Sequence, residues 1–487
     1  MEDTLLLEPV IKDSPGKDRL ESSRDLQTHF LGEHQTIEKR MAAGKELRKK
    51  SPLIRLGTYK TSAKREDPVS ILEKQAITRL PELVPIRYAR MLASPFAFLR
   101  GSAAVMAADL ASGFHPVGID TQICGDMHVS NFGLFASAER NLVFGINDFD
   151  ETIRGPFEWD LKRLVASIVA AGRFLGASSG QCEESVVAAV RTYRKKMHEY
   201  AHFGNLELWY EMIGEKDIVK AFSSEAAKQA LKTMEKARGH THMQVLGKLA
   251  DMVDDKYRLK VNAPFIVRET HDKLGRPIAQ TMGDFFESYF KTIGDERKNL
   301  LKRYRVTDVV RKIVGVGSVG TRCWVVFLMG NHDQDPLFLQ IKQAEASVYE
   351  PYVHKSIYVN QGHRVVMGQR IIQAAPDIFL GWFEEGGGHF YVRQLRDMKG
   401  GVEIDPSTTK IELMDEYSAL CGWALALAHA KGGDAAMIAG YVGGKTEELD
   451  EALVRFAFAY ADQTEKDFDA LSIAAKKGRI QVAGSAE

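Results

Sequence analysis

The chain has 487 residues, of which 45% are hydrophobic, and its 65 Lys+Arg balance 65 Asp+Glu for a formal net charge of zero. That length exceeds one simple core, so two or more domains are expected, and the charge balance excludes a global pull toward nucleic acid or an anionic membrane. The four cysteines, Cys124, Cys182, Cys323 and Cys421, form no CxxC pair, which argues against a zinc or disulfide framework and suits a reducing cytosol.

Residues 1–60 are polar and charged, and read as a partly disordered N-terminal extension. "MEDTLLLEPV" is acidic and lacks the apolar core of a signal peptide, and no run approaches the ~20 apolar residues that cross a bilayer. A cytoplasmic protein with no membrane partner and no specific nucleic acid is expected. "KELRKKSPLIRLGTYK" is basic and reads as a solvated arm, with contact to phosphates or a partner as the alternative. Residues 61–261 form the first, mostly helical lobe. "IRYARMLASPFAFLRGSAAVMAADLA" has helix periodicity broken at Pro95. "TQICGD" and "NLVFGINDFD" read as short strands running into acidic loops, and "EWDLKRLVASIVAAGRFL" as a core-facing helix. Residues 180–260 are helical and charged.

The texture changes near 262, and residues 262–405 read as an antiparallel-sheet lobe. "KIVGVGSVGTRCWVVFLMG" and "PLFLQIKQA" are β-branched runs on either side of "NHDQD", a hairpin signal. "VVMGQRIIQAAPDIFLGWF" reads as a helix then a strand, and "GGGHFYVRQLRDMKG" as a strand after a glycine turn. Residues 406–487 supply further helices, at 411–431 and 446–472.

Two acidic loops carry the chemistry. "CGDMHVSNFG" (124–133) places Asp126, His128 and Asn131 within six residues. In kinase-type phosphoryl transfer an Asp accepts or orients the acceptor hydroxyl proton, and an Asn five residues on holds magnesium. Asp126 and Asn131 have that spacing. Asp148, seventeen residues after Asn131, is placed to bridge a metal to phosphates after a short hairpin, with Asp150 as a second metal contact. The bland alternative is a capped turn followed by an acidic loop. In "VGVGSVGT", Gly315, Gly317, Ser318 and Gly320 form a glycine turn between apparent strands, suited to close approach by phosphates. Lys342 lies on the next strand, where a lysine pairs with α/β-phosphates or simply snorkels. Glu345 and Glu350 are its candidate partners. Gln394, in "FYVRQLRD", marks a hinge strand that would hold adenine.

"GDMHVSN" followed by "NDFDE" resembles the GDxHxxN loop and later Asp of aminoglycoside phosphotransferase and choline-kinase relatives, within the protein-kinase-like superfamily. From about residue 50 to 475 the chain also resembles an uncharacterised bacterial family, domain of unknown function 2252, whose name implies no activity. The kinase resemblance implies an α+β, two-lobed fold, ATP with Mg2+ or Mn2+, and transfer to an unidentified small-molecule or protein acceptor. Asp126, His128 and Asn131 would be catalytic. Asn131, Asp148 and Asp150 would be metal-binding. The glycine turn, Lys342 and Gln394 would hold nucleotide. Asp160 matches an acid whose role in such kinases is structural. Asp126 precedes Lys342 by about two hundred residues, the reverse of the usual order, so a circular permutation is expected, the catalytic lobe coming first and the helices after 406 completing it. "EYSALCGWALALAHAKGGD" resembles the helix that normally leads into the catalytic loop.

Two alternatives remain. "GDMH", "GHTH" (239–242) and "GNHD" (330–333) resemble pieces of a metallophosphoesterase, although their order is reversed and its GDxxD piece is absent. A non-catalytic nucleotide-binding or scaffold protein is the other. Arg87, Arg90 and Arg100 are candidate phosphate or substrate contacts, with surface ion pairs as their commoner use.

Overall fold

In the helix Phe157–Leu175 all but Arg173 and Phe174 of nineteen residues are buried, Asp160, Lys162 and Arg163 among them. A helix buried on every side must be wrapped by others. The C-terminal helix Glu448–Lys476 packs along it, and the paired helices Ser179–Tyr200 and Met414–Gly432 enclose it within one large core. This computed structural model describes residues 30–484 apart from 63, 114, 240–241, 272–275, 314, 316, 374, 396–397 and 445. The architecture is mixed α+β with several sheets. Among the described residues no helix is long and apolar enough to cross a membrane.

The basic stretch read as a solvated arm is instead docked from residue 37 onward. The helix Ile37–Lys50 crosses Ala435–Val442 so closely that a Cβ on Gly44 would lie 2.1 Å from the Met437 carbonyl oxygen, and one on Gly440 2.1 Å from that of Met41. Leu53 and Leu56 follow into the main core. The lysines and arginines mask a thin apolar and small-residue face that is enough to seat the segment. Residues 1–29 of the expected extension lie outside the described residues.

Two small sheets carry the acidic loops. β1 (Asp120–Ile123) pairs with β4 (Ile153–Pro156), and β2 (Phe132–Ala136) with β3 (Leu142–Ile146), to which β5 (Ile213–Gly214) adds. Loop 124–131 runs from β1 to β2 and loop 147–152 from β3 to β4, so both emerge side by side. β6 (Ala250–Val253) and β7 (Lys256–Leu259) form a separate hairpin.

The large sheet is antiparallel throughout. It holds β8 (Ile266–Val267), β9 (Arg305–Lys312), β10 (Cys323–Met329), β11 (Pro336–Ala344), β12 (Gly381–Glu385) and β13 (Gly388–Gln394), in the order β12-β13-β11-β10-β9-β8. The glycine turn joins β9 to β10, "NHDQD" joins β10 to β11, and the helix Gln361–Ile372 lies between β11 and β12. Strand alternation sorts the faces. Leu337, Leu339 and Ile341 of β11 join Phe390 and Val392 of β13 and Phe285 and Tyr289 of the helix Ile278–Phe290 in one apolar cluster. Gln340 and Lys342 take the opposite face, with Tyr391 and Arg393 of β13. Lys342 stands directly across from Cys323 on one side and Tyr391 on the other.

The sheet lobe begins earlier than the change of texture at 262. Val245, Leu246 and Leu259 pack on Val310, Val325, Phe327 and Phe338, so the helix His242–Leu249 and the β6–β7 hairpin cover the far part of the sheet's second face. Charged residues on their outer sides hide this in the sequence, and they make residues 180–260 less uniformly helical than their composition predicts.

Candidate active-site cleft

β1 ends at Ile123, and the chain turns through Cys124 and Gly125 into the first acidic loop. Gly125 has φ +83°, and a Cβ there would lie 2.6 Å from the Glu151 carbonyl oxygen. Glycine is required here for both the left-handed turn and the contact between the two acidic loops. Asp160, in the first turn of the buried helix, accepts the N–H groups of Cys124 (2.7 Å) and Gly125 (2.9 Å). His429 Nε2 lies 3.3 Å from the same carboxylate, and its Nδ1 is 2.9 Å from the Tyr193 hydroxyl. The loop therefore hangs on a buried polar chain running across three helices. One turn along from Asp160, Arg163 donates Nε–H to Asp126 (2.7 Å) and a terminal N–H to the Leu99 carbonyl (2.8 Å). Burial opposes the Arg163 charge, but Asp126 prevails and holds its pKa above the ordinary value.

Asp126 is thus fixed from below while its side chain stays partly exposed. His128 Nε2 is 3.7 Å from the second Asp126 oxygen. Burial pushes the imidazole down to about 4, so His128 is neutral at physiological pH and acts on Asp126 as a neutral neighbour. Asn131 Nδ2 donates to the backbone carbonyls of Asp126 (3.0 Å) and Asp148 (3.2 Å), stitching the two loops together. The amide nitrogen so committed, its oxygen is the atom left to meet a cation.

The two later acids separate in role. Asp148 has a side chain 41% exposed, with Lys342 Nζ at 3.5 Å. Burial works against its ionisation, but the charges of Lys342, Arg393 and Lys399 hold its carboxyl below the usual range. Asp150 was expected as a second metal contact. Its oxygens are instead taken by Lys342 Nζ (2.6 Å), the Tyr391 hydroxyl (2.6 Å) and Ser318 Oγ (3.1 Å). It ties the sheet and the glycine turn to the acidic loop. Lys342 is only 1% exposed. Burial alone would lower its pKa, yet Asp148 and Asp150 raise it well above the ordinary value.

The expected partners of Lys342 are also corrected. Neither Glu345 nor Glu350 pairs with it among the described residues, and the helix Gln361–Ile372 presents Arg364. Arg364 donates to the backbone carbonyls of Asp150 (2.8 Å), Glu345 (2.8 Å) and Thr152. Around the glycine turn, Arg90 bonds the Gly315 carbonyl, Arg79 bonds that of Val319, and Leu80 N–H donates to that of Gly320 at 2.8 Å. Gly320, at φ +94°, has no room for a Cβ against Arg79. Arg87 is fully buried and donates to Gln75 and the Gly101 carbonyl, so neither Arg87 nor Arg90 is a surface ion pair. Gln394 lines the cleft, but its N–H is given to the Asp377 carboxylate, so its backbone donor is not free for a base.

Asp148, Lys342, Arg100, Ser318, Arg393 and Gln394 line one open cleft of about 1410 Å³. Among the described residues no group of three or more His, Cys, Asp or Glu is arranged to hold a metal. A magnesium ion carried on phosphates commonly takes only one or two protein carboxylates, and Asp148 with the Asn131 oxygen fits that share. The "GNHD" piece lies in the exposed β10–β11 turn. Its first residue, Gly330, is seven residues along from Cys323, or ~23 Å from the Lys342 end at ~3.3 Å per residue. In "GHTH", His240 and Thr241 lie outside the described residues.

Glu151 lies beside this site with a different consequence. It accepts the Val348 N–H (2.8 Å), and burial pushes its carboxyl up to about 7 despite that bond and the nearby Arg364. Below the ordinary value of 4.5 the group is protonated in both folded and unfolded chains. Between 4.5 and 7 only the unfolded chain ionises, so the folded state loses stability as pH rises through this window. Glu151→Gln should therefore raise the melting temperature relative to wild type at pH 8 and lose that advantage at pH 4. Melting curves whose difference does not change with pH would overturn this.

Residues 79–474 match the family described as "Uncharacterized protein conserved in bacteria (DUF2252)", and the chain belongs to that family. No curated protein and no solved structure matches it.

Arg163, Tyr391, Arg393, Arg364 and the Tyr193–His429 pair went unread in the sequence. Arg163 did leave a signal, since it sits three residues after Asp160 in a helix otherwise apolar enough to be core.

Proposed function

We propose that this protein is an ATP- and divalent-metal-dependent phosphotransferase of circularly permuted protein-kinase-like architecture. The observation that carries the proposal is the meeting of Lys342 with Asp148 and Asp150, although about two hundred residues separate them, with Lys342 and Asp148 both lining one cleft. The sheet supports it. A glycine turn joins the first two strands of the β9-β10-β11-β13-β12 series, the lysine lies on the third, and a helix stands between β11 and β12. The C-terminal end of Met414–Gly432 also abuts β1, where Thr121 Oγ donates to the His429 carbonyl. That contact suits a permuted reading in which the helix would lead into the Asp126 loop while following it in sequence.

In this mechanism Lys342 and the glycine turn hold the donor phosphates, and Asp148 with Asn131 would hold Mg2+ or Mn2+. A bound cation would supply neutralisation of the phosphate charge. Asp126 takes the proton of the acceptor hydroxyl as its oxygen bonds to the γ-phosphorus. The bond from that phosphorus to the β–γ bridging oxygen breaks, and ADP leaves with the electron pair. Buried Arg163 keeps Asp126 in place throughout, with neutral His128 beside it.

One observation favours a second reading. Kinases that turn over pair the strand lysine with a helix glutamate, and here the helix offers Arg364. Nucleotide binding without transfer would suit that difference. Calorimetric titration with ATP and Mg2+ or Mn2+ should show binding, and labelled ATP should be slowly hydrolysed or passed to the protein. Flat titrations in both metals would reject the nucleotide site, whereas binding with no turnover would select the second reading.

A further inference from the structure

We infer that Arg100 is a clamp for the transferred phosphoryl group, reaching the cleft from a helix outside both the sheet and the acidic loops. The inference rests on the phosphotransferase proposal and extends it to a residue that no kinase resemblance points to. Five arginines near the cleft and the glycine turn each donate to an acceptor: Arg79, Arg87 and Arg90 to backbone carbonyls, Arg163 to Asp126, and Arg393 to Gln340 and the Asn147 carbonyl. Arg100 differs. Among the described residues its guanidinium has neither an ion pair nor a hydrogen-bond acceptor, its Nε is buried without a partner, and it lies over the Phe96 ring at 5.8 Å. A partly desolvated cation with no acceptor is costly to hold in a folded chain unless something anionic meets it.

Its position says which anion. Arg100 lies in the last turn of the helix Pro95–Gly101, and its carbonyl lies 3.5 Å from where a Cβ on Gly317 would stand, so it sits under the glycine turn. Arg100 lines the cleft with Ser130 and Asp148. The acid that acts on its charge is Asp126, and its own charge bears on His128. The cations around Asp148 are a separate set, Lys342, Arg393 and Lys399. Two groups of positive charge thus sit at the acidic loops, one beside Asp148, which lines the cleft, and one beside Asp126, the proposed base. The point between the glycine turn and Asp126 is where the γ-phosphoryl group must be when it meets the acceptor oxygen.

The test is calorimetry of ADP–Mg and ATP–Mg on wild type, Arg100→Gln and Arg100→Lys, with folding checked by thermal melting. Wild type should prefer ATP. Arg100→Gln should lose roughly ten- to a hundredfold in ATP affinity, the range of one or two charge-assisted hydrogen bonds, with ADP affinity unchanged. Arg100→Lys should recover part of the preference. A wild-type ATP-to-ADP ratio in both variants would overturn the inference and leave Arg100 to an anion on the acceptor. If Arg100→Gln does not fold, the Arg100→Lys ratio decides, since lysine cannot reproduce the planar fork. Wild type binding neither nucleotide would remove this inference and the phosphotransferase proposal together, whereas binding with an unchanged ratio removes this inference alone.

Discussion

Asp126→Asn is expected to lower turnover of labelled ATP by about 10²–10⁴-fold, the usual contribution of a positioned acid–base group, while nucleotide–metal affinity stays near wild type. The choice of asparagine follows from the structure. Arg163 is buried and pairs with Asp126, so Asp126→Ala would strand a guanidinium, and breaking a buried pair from one side costs on the order of 3–5 kcal/mol. Asparagine keeps an oxygen for the Arg163 Nε–H and removes only the basicity. Asp148→Asn should behave in the opposite way. Its carboxylate is the exposed one, so the metal-dependent part of ATP affinity should weaken before any transfer step is reached. Asn131→Ala should follow Asp148→Asn more mildly, because a neutral amide contributes less to a divalent cation. Full turnover in Asp126→Asn would remove the base and leave the loop with a structural role.

The elements at this site were legible where one local rule was sufficient. Alternating β-branched residues around "NHDQD" announced β10 and β11, and the glycine turn lay where a strand-to-strand connection was expected. The Asp126, Asn131 and Asp148 spacing placed three groups on two loops that do lie side by side. What the sequence could not disclose were pairings set by packing. Asp150 and Asp148 are two residues apart and chemically identical. Only the register of β11 against β13, which brings Tyr391 beside Lys342, decides that Asp150 is the enclosed acid and Asp148 the open one. Glu345 and Glu350 follow β11 closely enough to be expected as partners of Lys342, and nothing local said that the partners would be Asp148 and Asp150 from the other lobe. Asp160, which matches an acid of structural role, is an acid in the first helical turn whose oxygens receive the loop's N–H groups. In the docked segment 37–60 charge dominates the composition, while the buried residues of its two helices are Gly44, Leu53, Leu56 and Gly57.

Lys342→Met should produce the largest combined loss, in stability and in ATP affinity. Methionine keeps the length and apolar stem of lysine, so packing against Cys323 and Tyr391 is little disturbed and the change is mainly one of charge. Asp150 then keeps only the Tyr391 and Ser318 hydroxyls, and Asp148 loses its nearest cation. Truncating one partner of a buried pair costs on the order of 3–5 kcal/mol. Because both acids are partly open to water, the low end of that range is expected, read as a lower melting temperature. Adding Asp150→Asn should restore part of the lost stability, since the stranded carboxylate goes with it. Two single changes that simply add in the double variant would show that no interaction joins the sheet to the acidic loop. The double variant also separates binding from folding. With stability partly restored and Lys342 still absent, ATP affinity should remain low, because the group that meets the donor phosphates has not returned. Recovery of wild-type ATP affinity in the double variant would mean that Lys342 serves only to hold the lobes together.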